Sequence, residues 1–265
     1  MFTKTEFIDI DPVAAEELLA LFLQDQWHVI KEDDSKLLAV YEQYYIKVFK
    51  KTNIVEKIKG KVVGNRSQRF SRGNSLLKEI GLNAPPIVVH GNFNNLPFII
   101  MKEVPGWNVS DIIHSYFVQP SREGLRWKRV LLRELGRTLG EMHRHDIVHG
   151  DLRASNVLLH EDAGKLSLYF IDNERTRVAK RKYREKIRNL VQIFMMSRRG
   201  FSLTDQFRIF SAYYEFSNID SKARKIMERD VLKTLDKRLR RRTKSLDGTL
   251  LTDPPAERLF SYYFE

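Results

Sequence analysis

Apolar residues fall in short alternating runs along the N-terminal part of the chain. Further on they recur at three- and four-residue spacing. Asp11-Pro12, then Glu16 and Glu17 with Leu18, Leu19, Leu21 and Phe22, predict a short amphipathic helix near the start. Residues 27–31 and 37–41, around the polar stretch 32–36, predict two strands, and residues 44–49 a third beside them. Residues 60–65 read as a loop and residues 66–80 as a helix. Gly81 and Pro85-Pro86 end that helix, because glycine favours the left-handed stop and proline cannot continue. Strands at 87–90 and 97–101 flank Gly91-Asn92-Phe93-Asn94-Asn95, and Val104-Pro105-Gly106 reads as a linker.

Beyond the linker, Leu132, Leu135, Leu139 and Met142 form one buried helical stripe. Residues 157–159 and 166–171 predict a hairpin across 162–164. Helices are expected through 189–194, 203–216 and 222–237, and no internal repeat is visible. Strands first and helices second make an α+β fold of two lobes. The expected division is 1–103, an antiparallel sheet with one main helix, and 104–265, mostly helical.

The chain has 265 residues, of which 42% are hydrophobic, enough for a sizeable globular core. It contains no cysteine, which excludes disulfides, thiolate metal sites and cysteine nucleophiles. No apolar run approaches the roughly 20 residues that span a bilayer. The first six residues lack the charged start and apolar core of a secretory signal, so a soluble intracellular protein is expected. The formal charge is +12, from 46 basic against 34 acidic side chains. Such a surface suits nucleotides, acidic lipids, phosphorylated glycans or nucleic acid, and charge alone does not choose. The basic run at 237–244 reads equally as a docking patch or a solvated helix end.

The chemistry concentrates in His149-Gly150-Asp151-Leu152-Arg153-Ala154-Ser155-Asn156, with Phe170-Ile171-Asp172 after the hairpin. Asp151 alone reads as a turn or cap residue. With a carboxamide five residues later and a carboxylate at a strand end, it reads as a base that takes the proton of an attacking hydroxyl. Asn156 and Asp172 offer oxygen ligands suited to Mg2+. His149 reads as a structural residue that fixes the loop. Lys47, alternating with apolar neighbours, either snorkels to solvent or reaches phosphates; beside such a loop it is the best phosphate-contacting lysine. Arg153 suits the charge of a transferring phosphoryl group, as do Arg175 and Arg177, and surface arginines are the competing reading. Met101 to Glu103 read either as a hinge whose backbone meets an adenine edge or as plain linker.

The assembled motifs resemble the bacterial lipopolysaccharide kinase family, the Kdo and heptose kinases of the lipopolysaccharide core, within the protein-kinase-like fold. The resemblance runs from about Tyr44 to Tyr214. It rests on the 149–156 loop, on Ile171-Asp172-Asn173-Glu174-Arg175, on Gly81-Leu82-Asn83-Ala84-Pro85, on Asn189-Leu190 and on residues 201–208. It implies ATP- and Mg2+-dependent phosphorylation of a core sugar hydroxyl at the cytoplasmic face of the inner membrane. The implied partners are the core glycolipid and an anionic membrane surface, with nucleic acid disfavoured. Two departures stand out. No glycine lies between Val29 and Tyr45, where a glycine-rich phosphate lid is expected, and the helix before Gly81 lacks an obvious acidic partner for Lys47. Glu79 is the expected partner, with Glu56 as the other acid in reach. An atypical serine/threonine kinase, a small-molecule phosphotransferase and a catalytically weak kinase-fold binding protein are the alternatives.

Overall fold

The computed structural model describes residues 2–8, 12–50, 56, 60, 62–162, 165–196, 200–217 and 219–245. Lys61 in the expected loop, the Ala163-Gly164 tip of the expected hairpin and the side chains of residues 242–244 in the basic run lie outside the described residues. The chain forms two compact units. The first runs to Pro105 and takes in Phe170–Arg177; the second runs from Gly106 to Tyr169 and resumes at Val178.

The first unit is built on six strands: β1 (Phe2–Phe7), β2 (His28–Glu32), β3 (Lys36–Tyr41), β4 (Tyr44–Phe49), β5 (Ile87–Phe93) and β6 (Leu96–Lys102). They pair antiparallel in the order β1-β5-β6-β4-β3-β2. Alternation along β4 divides the core in two. Ile46 and Val48 join the cluster of Ala15, Leu18, Leu19 and Trp27 around helix α1 (Pro12–Leu23). Phe49, on the opposite side, packs with Ile99, Ile87 and Phe70 of helix α2 (Arg66–Glu79). Lys47 shares that second side, so the strand that fills the core also delivers the lysine to α2.

Strand β1 is absent from the sequence expectation, because its threonines and charges mask the alternation. The Phe2 ring, 4.9 Å from Phe93 and 5.0 Å from Phe98, anchors it. Strand β5 runs three residues beyond the expected end. The connection to β6 is a tight turn at Asn94 and Asn95, with φ of 47° and 64°, a conformation asparagine tolerates.

The second unit centres on helix α3 (Arg122–Arg144), capped by Ser121, whose hydroxyl accepts from the Gly124 N–H at 3.1 Å. It packs against helix α5 (Leu203–Phe216), which comes after helix α4 (Lys182–Ile193). Buried Lys128 and Asp205 pair across the two helices at 2.6 Å. Helix α6 (Ser221–Ser245) buries Met227, Val231 and Leu235 and exposes Lys225, Arg229, Lys233 and Lys237. It continues past the expected end because lysine and arginine sustain a helix.

The α3–α5 contact is close enough for backbone to meet backbone. A Cβ on Gly136 would lie 2.4 Å from the Ile209 carbonyl oxygen, and one on Gly140 would lie 2.5 Å from that of Tyr213. Alanine at either position gains about 1 kcal/mol of helix propensity. The clash with a rigid carbonyl outweighs that gain. Gly140→Ala is expected to destabilise the protein by about 1–3 kcal/mol in urea unfolding.

Candidate active site

Lys47 and Asp172 both belong to the first unit. Lys47 Nζ lies 2.5 Å from Asp172 Oδ1, with the lysine side chain 8% exposed and the aspartate 34%. The ammonium also sits over the rings of Phe49, at 5.0 Å, and Phe70, at 5.7 Å. Asp172 adopts the left-handed backbone conformation, φ 64° and ψ 42°, which aspartate accepts more readily than most residues. The short segment after Asp172 is seated on α2. Asn173 Nδ2 donates to Asn74 Oδ1 and to the Phe170 carbonyl, both at 2.7 Å, and Thr176 Oγ1 donates to Asn173 Oδ1 at 3.2 Å. Arg66 joins Glu174 at 2.8 Å and lies over Phe49 at 4.5 Å.

The expected pairing of Lys47 with Glu79 does not form. Glu79 is the only acid in α2 and is exposed in its last turn, whereas the buried face carries Ser67, Phe70, Gly73, Asn74 and Leu77. Glu56 is taken by Arg69, at 2.6 Å. Met101 packs against the Phe49 and Phe70 cluster. The Glu103 N–H donates to the Gln43 carbonyl at 2.7 Å, and its carboxylate accepts from the Tyr45 hydroxyl at 3.0 Å. One of the backbone groups in the expected hinge, the Glu103 N–H, is therefore engaged within the sheet.

The β2–β3 hairpin has no glycine, and Asp33 organises it. Its Oδ1 accepts from the Ser35 N–H at 2.8 Å, the Ser35 hydroxyl at 2.5 Å and the Lys36 N–H at 3.1 Å. These bonds, led by the Ser35 hydroxyl, lower the carboxyl pKa to about 2. Lys36 shares the sheet face of Lys47, since Lys36 pairs with Phe49 and Leu38 with Lys47. Burial, then the charge of Lys47, lowers its pKa.

The loop of Asp151 and Asn156 belongs to the second unit. Gly150 takes φ 77°, which places Asp151 at the head of a tight loop; the Arg153 N–H donates to the Asp151 carbonyl at 3.0 Å. Asn156 Nδ2 donates to the same carbonyl at 2.8 Å, leaving Oδ1 as the atom suited to a cation. Arg153 Nε reaches Asp151 Oδ1 at 3.1 Å from a largely exposed side chain. In the other unit, Arg175 is exposed beside Glu174 at 3.9 Å, and Arg177 donates to the Arg175 carbonyl at 3.3 Å.

Helix α4 holds the loop from behind. Asn189 Oδ1 accepts from the His149 N–H at 3.1 Å and pairs with His143 Nε2 at 3.3 Å. Its Nδ2 donates to Gln192 Oε1, which also accepts from the Leu152 N–H, each at 3.2 Å. Gln192 Nε2 reaches Asp151 Oδ1 at 3.4 Å. His143 Nδ1 lies 3.0 Å from the Tyr213 hydroxyl, so the imidazole donates through Nε2 and accepts through Nδ1. Burial pushes its pKa down to about 3. Gln192, Phe49 and Phe70 did not stand out in the sequence. Polar residues at 189 and 192, three apart on a helix face that is otherwise apolar, are the signal that marks the first of them.

The profile of the lipopolysaccharide kinase (Kdo/WaaP) family matches residues 75–213, just over half of the chain. This chain belongs to that family. It is similar to the KEOPS complex subunit Bud32 of Pyrococcus abyssi, 33% identical over 138 residues, which are 50% of this chain and 57% of the relative. It also matches the bud32 subunit of Dictyostelium discoideum, 27% identical over 136 residues, 51% of this chain and 50% of the relative. The chain thus spans little more than half the length of these curated relatives. Its fold resembles that of WaaP, solved in complex with acyl carrier protein, with a TM-score of 0.61 at 18% identity over 87% of this chain and 99% of that one. The family is one of phosphotransferases with a hydroxyl acceptor, and the fold is kinase-like. Among the described residues no helix is long and apolar enough to cross a membrane.

Two outcomes are expected of this family member. Because the folded imidazole of His143 resists protonation that the unfolded chain accepts near pH 6.5, its stabilising contribution is complete above that pH. It is lost as pH falls from about 6.5 toward 3, with a slope of up to about 1.4 kcal/mol per pH unit from this group. Urea unfolding at pH 7 and pH 5, with an NMR signal for a neutral His143 at both, checks this. Asn189→Leu strips the acceptor from two buried donors and is expected to cost about 1–3 kcal/mol per orphaned group. The same unfolding curves, read beside nucleotide turnover, register it.

Proposed function

We propose that the chain is an ATP-dependent kinase that phosphorylates a sugar hydroxyl, of Kdo or heptose, in the lipopolysaccharide inner core. The observation that carries this reading is the Asp151 loop: a carboxylate held by Arg153 and Gln192 on a loop whose backbone is tied to Asn189 and Asn156. In the reaction, Asp151 takes the proton of the sugar hydroxyl as its oxygen attacks the γ-phosphorus, and ADP leaves with the bridging electron pair. Lys47 contacts the phosphates, and Arg153 offsets charge on the phosphoryl group or an anionic acceptor. Oxygen donors at Asn156 and Asp172 suit a hard cation, and Mg2+ held there would neutralise phosphate charge. The +12 charge and the exposed lysines and arginines of α6 support peripheral contact with an anionic inner-membrane surface, at about 1 kcal/mol per basic residue.

The Bud32 likeness supports a second reading: an atypical kinase whose acceptor is a protein hydroxyl. The same residues would serve it, and the fate of the phosphate distinguishes the two.

Incubation with γ-labelled ATP, Mg2+ and dephosphorylated core glycolipid is expected to label the glycan. Asp151→Asn is expected to lower turnover by about 10²–10⁴-fold without changing the melting temperature. Label on protein instead of glycan supports the second reading. Absence of label on both, from folded protein, overturns the kinase reading.

A further inference from the structure

Kinases of this fold hold the phosphate-binding lysine with a glutamate on the N-lobe helix. Here the corresponding helix, α2, has no carboxylate on its buried face, and its one acid, Glu79, is exposed at the end. What the helix turns toward Lys47 is the Phe70 ring, 1% exposed and 5.7 Å from Nζ. Phe49, fully buried on the same strand as the lysine, gives a second ring at 5.0 Å. Both lie within the range at which an aromatic face attracts an ammonium, and the attraction is strongest where water is excluded.

We propose that Phe70, together with Phe49, is the positioning residue for Lys47, replacing the helix carboxylate with an aromatic face where a nucleoside triphosphate would bind. The proposal rests on the kinase reading above. Unlike a carboxylate, a ring is uncharged and attracts the cation through its π face without taking one of its N–H donors in a conventional hydrogen bond. Lys47 has three N–H donors, and among the described residues its one hydrogen bond goes to Asp172. When that carboxylate turns to a cation, all three donors are available to phosphate oxygens while the rings still hold the charge in place. The helix need not move to make the contact. Gly73 lies against the Asn173 carbonyl, where a Cβ would come within 2.2 Å, and Asn74 and Arg66 bond Asn173 and Glu174. Phe70 is the cleaner of the two positions, because Phe49 also lies under the Arg66 guanidinium.

Phenylalanine with one, two or three ring fluorines placed at position 70 keeps the shape and drains the negative ring face. Affinity for a non-hydrolysable ATP analogue with Mg2+, measured by calorimetry, is expected to fall stepwise to about tenfold below wild type at the third fluorine. Adenosine affinity and the melting temperature are expected to stay constant along the series, which a purely structural role for the ring would not produce. A flat ATP-analogue series in protein whose wild type binds the analogue, and whose Lys47→Met variant binds it weakly, overturns the proposal and leaves the kinase reading intact. Wild type that binds no analogue overturns both.

Discussion

The surroundings of Lys47 and Asp172 depend on how closely one loop approaches one helix. Gly73 leaves room for the Asn173 carbonyl where any side chain would meet it at 2.2 Å. That approach lets the Asn173 amide bridge Asn74 and the Phe170 carbonyl, and it sets Glu174 against Arg66. Held on both sides, Asp172 keeps a left-handed backbone that would otherwise be sparsely populated. Its carboxylate then meets the lysine that alternation along β4 has already turned to the same side. A glycine in mid-helix normally weakens a helix; here the contact it admits orders the residues that matter.

In the second unit the loop is organised by neutral groups. Asn189 and Gln192 present carboxamides, which both donate and accept, and His143 is kept uncharged by burial. Each partner satisfies another, as buried polar groups require. The charged pair that ends this chain of contacts, Asp151 with Arg153, lies on its solvent-facing side.

Much of this was legible in the sequence, and the limits are physical. The Asp151 loop, Asn156, Asp172 and Lys47 stood out because spacing and alternation are local properties. A helix was expected around 203–216, and a Ser202–Asp205 capping box opens it there. β1 was not, because its charges hid a strand whose worth lies in contacts with Phe93 and Phe98, distant in sequence. The acidic partner of Lys47 was hidden for a related reason. The anion that meets Lys47 is Asp172, 125 residues on, and α2 turns the Phe70 ring toward the lysine; neither contact is local in the sequence.

The hairpin between β2 and β3 carries one more implication. Glycine-rich lids bind phosphate because bare backbone amides point inward, with nothing of their own to bond. In this chain the Ser35 and Lys36 amides are already filled by the carboxylate of Asp33. A hairpin tipped in this way repels the group that a glycine lid embraces. On the proposed reading, the positive groups nearest this hairpin lie on the sheet face bearing Lys36 and Lys47, so a polyphosphate would rest on a floor rather than be clasped from above.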